Sequence, residues 1–450
     1  MRPNTLNARI KLSEFRLKLE LPLFLLLTLA IHTTRRSIYD AFRLLRANRT
    51  MCRLLTEHCK VAKLIEQLTF KTKDVHRSLN IASSLLKDPL ATYLRGYIYT
   101  LHTIGSTLDY NEKWILSSIE NLETTIREKL NFTATLVEAL IIAATLLALG
   151  VTLLGIVNSS IMVLLLPTLL FVVLILTHRI RIGLSELQIG IKFRLIATLV
   201  ESIALLAALY SFLAQPVGMM TVLLALTALI VAVSYMYLYF NKVVELQALG
   251  DLVYKLSEQA RVLGHIKLVE ARDLLIDKRF SKLSKYITYA VKTGKLLRKD
   301  DSRVSIMVMF TAYVFANMMR SGTYIARVLD KIADFFRKLY ELEHYIIARF
   351  IVYELVMVVG GLINGLAIKA LLSLSIAFSS TSIAPQFFAS MDIAMIYTIL
   401  LVALWLGSYA IATMLLDTPI SIAAPLTLLA YTILLKIKIV PFIPYLFSSS

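Results

Sequence analysis

Between Ala139 and Thr177 the chain carries no charged residue, and the polar patch Asn158, Ser159 and Ser160 divides this stretch in two. A helix needs about 20 predominantly apolar residues to cross a bilayer, so the stretch predicts two transmembrane helices joined by a tight turn. The rest of the chain agrees. With 58% hydrophobic residues and a mean hydropathy of +0.71, it is more apolar than the roughly 45–50% of ordinary soluble domains. Fifteen Gly and ten Pro in 450 residues leave little room for long linkers. The expected class is an all-α, polytopic membrane protein.

The short segment His178 to Arg194 holds Arg179, Arg181, Lys192 and Arg194 against one acid, Glu186. By the positive-inside rule this loop is cytoplasmic. A second hairpin follows, Leu195 to Leu213 and Val217 to Phe240, and then Phe350 to Leu372, Ile393 to Leu416 and Ile420 to Leu435. That makes about seven transmembrane helices. Lys436 and Lys438 would then lie outside against the positive-inside trend, so six or eight spans are the alternatives.

The expected organisation is a basic helical domain at 1–135, four spans at 136–240 with the cytoplasmic loop 178–194, a second helical domain at 241–346, and about three spans at 347–450. The first domain has 21 Lys+Arg against 12 Asp+Glu and the second 19 against 12. Both are assigned to the cytoplasm. Of the 48 basic residues, 44 fall in these domains and the one short loop. The net charge of +18 therefore points to acidic protein surfaces and anionic lipid, not to nucleic acid.

The run Leu21 to Ile31 would reach only about 16 Å as a helix, against a hydrocarbon core of about 30 Å. It reads as a buried helix of the first domain, with an interfacial or shortened membrane segment as the alternative. No cleavage pattern of small residues follows it, so no secretory signal is expected. Cys52 and Cys59, with His58 beside them, are too few for a structural zinc site and read as reduced thiols on a helix.

The two polar domains share a pattern. Aligning Gly105 with Gly322 puts Glu138 33 positions after the first glycine and Glu354 32 after the second, each at the start of a span. Between them, Ile115, Ile119, Leu122, Ile126 and Leu130 form one apolar stripe. Ile325, Val328, Ile332, Phe335, Leu339, Leu342 and Ile346 form a heptad-like seam, which predicts helix packing inside the domain. An alternative register pairs YIYTLHTIG at 97–105 with YITYAVKTG at 286–294, but it needs an insertion before Glu354. Each glycine reads as a corner between two helices.

An apolar helix opening ELPLF at Glu20, a basic helical hairpin, a Gly-Ser or Gly-Thr corner, a long amphipathic helix entering the membrane, and duplication of the whole resemble a known family. The pattern is similar to that of the F-type membrane platform proteins of type II secretion and of archaeal type IV pilus and archaellum assembly, over about residues 14 to 375. The resemblance implies a non-enzymatic scaffold in the cell membrane, with two duplicated cytoplasmic helical-bundle domains. It implies a hexameric secretion ATPase, pilin subunits and membrane lipid as partners, and a homo-oligomer, dimer or trimer. The early spans that archaeal members often carry are absent here or reduced to Leu21 to Ile31, and the second copy is extended around Lys292 to Arg303.

No phosphate-binding loop, zinc-protease motif, nucleophile elbow or defensible pair of catalytic carboxylates occurs, so no enzyme, cofactor or metal is expected. The candidate residues lie elsewhere. Glu138, Glu201 and Glu354 are intramembrane or interfacial acids, expensive in lipid and so functional candidates. Glu138 and Glu354 could reach water or pair with Arg349, and Glu201, with Arg194 two turns earlier on roughly the same face, is expected to make an internal polar contact, a pilin's charged N-terminal helix being one candidate. Gly361 and Gly365 form a G-x-x-x-G that permits close helix packing, within the chain or between copies. Arg35, Arg36, Arg43, Arg46, Lys292, Lys295, Arg298 and Lys299 are candidate contacts for an ATPase or for lipid. The competing class is a polytopic membrane transporter, whose symmetry would centre on broken membrane helices. Here the repeated feature is a helical domain.

Overall fold

A computed structural model describes residues 13–33, 36–154, 191–214, 219–263, 306–318, 325–379, 393–416, 418 and 420–436. Among them there is no strand. The helices are α1 (Glu14–His32), α2 (Ile38–Ala47), α3 (Arg49–Leu54), α4 (Thr56–Thr72), α5 (Val75–Leu85), α6 (Leu90–Ile104) and α7 (Leu108–Leu154). They continue with α8 (Ile191–Ala214), α9 (Met219–Leu263), α10 (Ile306–Met318), α11 (Ile325–Ser379), α12 (Ile393–Leu416) and α13 (Ala423–Lys436). The chain divides into two units, 1–126 with 242–343, and 127–241 with 344–450. Both polar stretches of the sequence therefore fall in the first unit, and α7, α9 and α11 each contribute to both.

The centre of the first unit is α1. Its residues from Leu19 to Ile31 are all buried, and it packs on α2, α4 and α10. A helix apolar all round belongs in a protein core or a membrane, and here neighbouring helices bury it. Leu21 to Ile31 is thus a core helix of this unit, as its length suggested. Helix α10, which packs on it, also buries Phe310, Ala312 and Val314.

The Glu20 carboxylate sits within this apolar packing. Glu20 is 2% exposed, and its oxygens accept the backbone N–H groups of Glu57 at 2.9 Å and His58 at 3.1 Å, the Thr56 hydroxyl at 2.9 Å and a bond from His58 Nδ1 at 3.1 Å. These amides belong to the first turn of α4, where a helix has no partners of its own and carries partial positive charge. A glutamate on α1 therefore caps α4. His58 must donate from Nδ1 to a carboxylate, and its ring stacks on Phe24 at 4.8 Å. Beside it, Cys52 of α3 and Cys59 of α4 are joined as a disulfide, which corrects the expectation of two reduced thiols. Among the described residues no metal cluster forms.

The corner after α6 behaves as predicted. Gly105 caps the helix at φ +73, a left-handed geometry that costs a residue with a Cβ about 1–2 kcal/mol. Helix α7 then starts at Leu108, and its stripe of Ile115, Ile119, Leu122, Ile126 and Leu130 is buried. Gly322 lies outside the described residues.

Helix α11 packs on two partners in this unit. Against α9 it runs antiparallel: the Ser257 hydroxyl donates to the Ala326 carbonyl at 3.1 Å, and a Cβ on Gly250 would lie 3.4–3.6 Å from Ala333, Phe336 and Arg337. The Arg337 guanidinium covers the Tyr254 ring at 4.5 Å. With α7 it shares ion pairs in parallel register. Arg327 reaches Asp109 at 3.1 Å and Glu112 at 2.6 Å, and Lys338 reaches Glu123 at 3.6 Å. Apart from Ile325, whose side chain is not described, the predicted seam on α11 is buried, so it packs within the chain.

The second unit has inverted polarity. Helix α8 exposes Leu195, Leu199, Ile203, Leu206 and Tyr210 and buries Ala197, Glu201, Ala204 and Ala208. On α9, Leu223, Ile230 and Val233 face outward while Ala225, Ala228 and Ala232 are buried. Large apolar residues outside and small ones inside are the pattern of helices packed in lipid, where the drive to bury apolar surface is absent. Three described helices are long and apolar enough to cross a bilayer, at Phe193–Tyr210, Met219–Val262 and Ala326–Ala367, and two shorter apolar helices cover Leu400–Leu416 and Ala423–Leu434. The chain reads as a membrane protein on these features. Most of the first expected hairpin, from residue 155 on, lies outside the described residues.

Two measurements test this packing. Replacing Glu20 by Ala leaves the amides of α4 buried and unpaired, and should lower stability by about 3 kcal/mol in denaturant titration. His32, half-buried at the end of α1 and 3.2 Å from the Tyr97 hydroxyl, is held down to about 4 from its ordinary 6.5 chiefly by partial burial, with Asp40 pulling it upward. The unfolded chain therefore binds a proton that the folded chain refuses, and melting temperature should fall as pH drops from 6.5 to about 4. His32→Gln should flatten that part of the profile.

Candidate functional site

The second unit contains two acids in a packing that offers them little solvent. Glu201 on α8 is 0% exposed and Glu354 on α11 is 3% exposed. A carboxyl group here is tolerable only with partners, since burying one without them costs several kcal/mol. Both find them at one place, the turn between α12 and α13. Glu354 Oε2 accepts the Ile422 N–H at 2.9 Å and the Ala423 N–H at 2.7 Å, and Oε1 accepts the Ser408 hydroxyl of α12. Glu201 Oε1 accepts the Ser421 N–H at 3.3 Å. Two acids from different helices thus hold three consecutive amides at the start of α13.

The pair is unequal. Glu354 has three donors and sits where the α13 dipole favours negative charge. Glu201 has one longer bond, and its Oε2 is buried without a hydrogen-bond partner, as are the Trp405 indole N–H and the Tyr409 hydroxyl. Both aromatic groups lie close enough to Glu201 to interact with it, without a hydrogen bond of normal geometry. Next to them, Tyr235 of α9 bonds Thr418 in the same turn.

The G-x-x-x-G of α11 seats α13 over this site. A Cβ on Gly361 would come within 2.7 Å of Thr427 and 2.8 Å of Leu404, and one on Gly365 within 2.6 Å of Tyr431. The Tyr431 hydroxyl donates to the Gly361 carbonyl at 2.8 Å. Both glycines therefore serve contacts inside the chain, and this face is not available to a second copy.

The other expected residues are dispersed. Glu138 is exposed on α7. Glu354 bonds backbone amides and Ser408 in place of Arg349, while Glu201 makes the internal polar contact expected of it, to the Ser421 amide. Arg349 instead bonds the Tyr345 hydroxyl at 2.9 and 3.1 Å. Arg36 and Arg43 are exposed, while Arg46 is exposed and paired with Glu66. Arg35, Lys292, Lys295, Arg298 and Lys299 lie outside the described residues. Ser408, Trp405, Tyr409 and Ser421 were not legible as site residues, because their roles depend on which helix lies opposite. No family model, curated protein or solved structure matches the chain.

Gly365→Leu should drive a side chain into Tyr431 and destabilise the protein by about 1–3 kcal/mol. Native mass measured in detergent should stay unchanged while the melting temperature falls.

Proposed function

We propose that the protein is a non-enzymatic platform of a type IV pilus-like filament assembly machine in the cell membrane, coupling a cytoplasmic hexameric secretion ATPase to the insertion of pilin subunits. The observation that carries this reading is that α7, α9 and α11 run from the polar unit into the apolar one without a break. A displacement of the polar unit is then delivered to the membrane helices by continuous rods, where a flexible linker would dissipate it.

An internal duplication is part of this reading. The α7–α11 pairs Asp109–Arg327, Glu112–Arg327 and Glu123–Lys338 are separated by 218, 215 and 215 residues, and Gly105 and Gly322 are 217 apart. In this reading the two copies of one helix lie side by side, and the basic loop 178–194 sets both polar stretches on the cytoplasmic side, beneath about seven spans. The Cys52–Cys59 disulfide is then a cytoplasmic one, as hyperthermophile proteins carry. A membrane transporter is the second reading, favoured by the buried Glu201–Glu354 pair, since acids inside a membrane bundle often mark ion paths.

Inserting two or three glycines after Lys338 should abolish filament assembly while the chain still co-purifies with its ATPase. Normal assembly by that variant overturns the lever, and failure of the wild-type chain to bind any hexameric secretion ATPase overturns the platform.

A further inference from the structure

We propose that Glu201 and Glu354 form a proton-binding site within the apolar unit, in which Glu201 carries the proton and Glu354 the negative charge. This goes beyond the platform reading and does not depend on it.

The argument starts from the amides. Ser421, Ile422 and Ala423 are consecutive, so the acids that bind them are neighbours: Glu201 takes the first N–H at 3.3 Å and Glu354 the next two at 2.9 and 2.7 Å. Burial disfavours the charge on each acid, and two carboxylates on adjacent amides also repel, so a single proton on the pair relieves both costs. Among the described residues, no lysine, arginine or histidine forms an ion pair with either acid. The groups facing Glu201 are Glu354 from α11, Trp405 and Tyr409 from α12, and the uncharged amide of Ser421.

Hydrogen bonding decides which acid holds the proton. Glu354 accepts three donors and lies on the α13 dipole, which stabilises the ionised form. Glu201 accepts one, and its second oxygen is fully buried and unpartnered. A carboxylate oxygen left bare there would cost more than a neutral carboxylic acid group. The proton arrives from and returns to water as hydronium or hydroxide exchange requires, with no other bond made or broken. While it is present, the start of α13 is held by one charge and one neutral group. When it leaves, two like charges face each other across the same turn.

Infrared spectra of the full-length protein in lipid nanodiscs at neutral pH test this directly. Wild type should show a carboxylic acid carbonyl band that shifts in heavy water and disappears in Glu201→Gln, whose melting temperature should match wild type because glutamine mimics the protonated acid. In Glu354→Gln the band should titrate at lower pH, since the charge opposing ionisation of Glu201 is gone. An unchanged band in Glu201→Gln, or a Glu201→Gln chain that fails to fold, overturns the assignment. If Glu354→Gln does not fold, the pH titration of the band in wild type replaces it. A wild-type band lost in the ordinary carboxyl range then counts against the proposal.

Discussion

A carboxyl group inside an apolar helix bundle must find donors, and the donors that such a bundle supplies are the amides at helix starts. Both units of this protein use that solution. Glu20 of α1 holds the first turn of α4, and Glu354 of α11 holds the first turn of α13. In each case the bond is charge-assisted and shielded from water, so it fixes the position of one helix relative to another more narrowly than apolar contacts can. Apolar side chains tolerate sliding; an acid over two amides does not.

The surroundings of these caps follow from them. With α4 set by Glu20, His58 stacks on Phe24 and Cys52 meets Cys59. With α13 set by Glu354, Tyr431 reaches the Gly361 carbonyl, and the two glycines of α11 lie beneath Thr427 and Tyr431. Close approach at the glycines and the cap at the helix start act together, because α13 cannot rotate without losing both.

The periodic parts of the chain were readable because periodicity is a local property. The stripe on α7, the seam on α11, the Gly105 corner and the core role of Leu21 to Ile31 all rest on residue spacing and run length, and each is found in the structure. The acids were legible as costly residues, since a glutamate in an apolar run is visible without coordinates. Their partners were not. Arg194 and Arg349 are near in sequence, whereas Ser421 and Ile422 are 220 and 68 residues away from the acids they bind, and no local rule selects a backbone amide over a nearby cation. The cysteine pair was misread for the same reason: a spacing of seven does not say whether a helix break at Leu55 brings two thiols together.

The sequence by itself determined that this is a helical membrane protein with long amphipathic rods, because hydrophobic content and spacing are summed along the chain and need no partner. Only the tertiary structure decided that α7 and α11 run in parallel register and that Glu201 and Glu354 meet at one turn. It also decided that the G-x-x-x-G faces its own chain. Those features depend on which surfaces come together, and contacts between distant segments are chosen by the packing of the whole unit, where many local patterns would serve equally well.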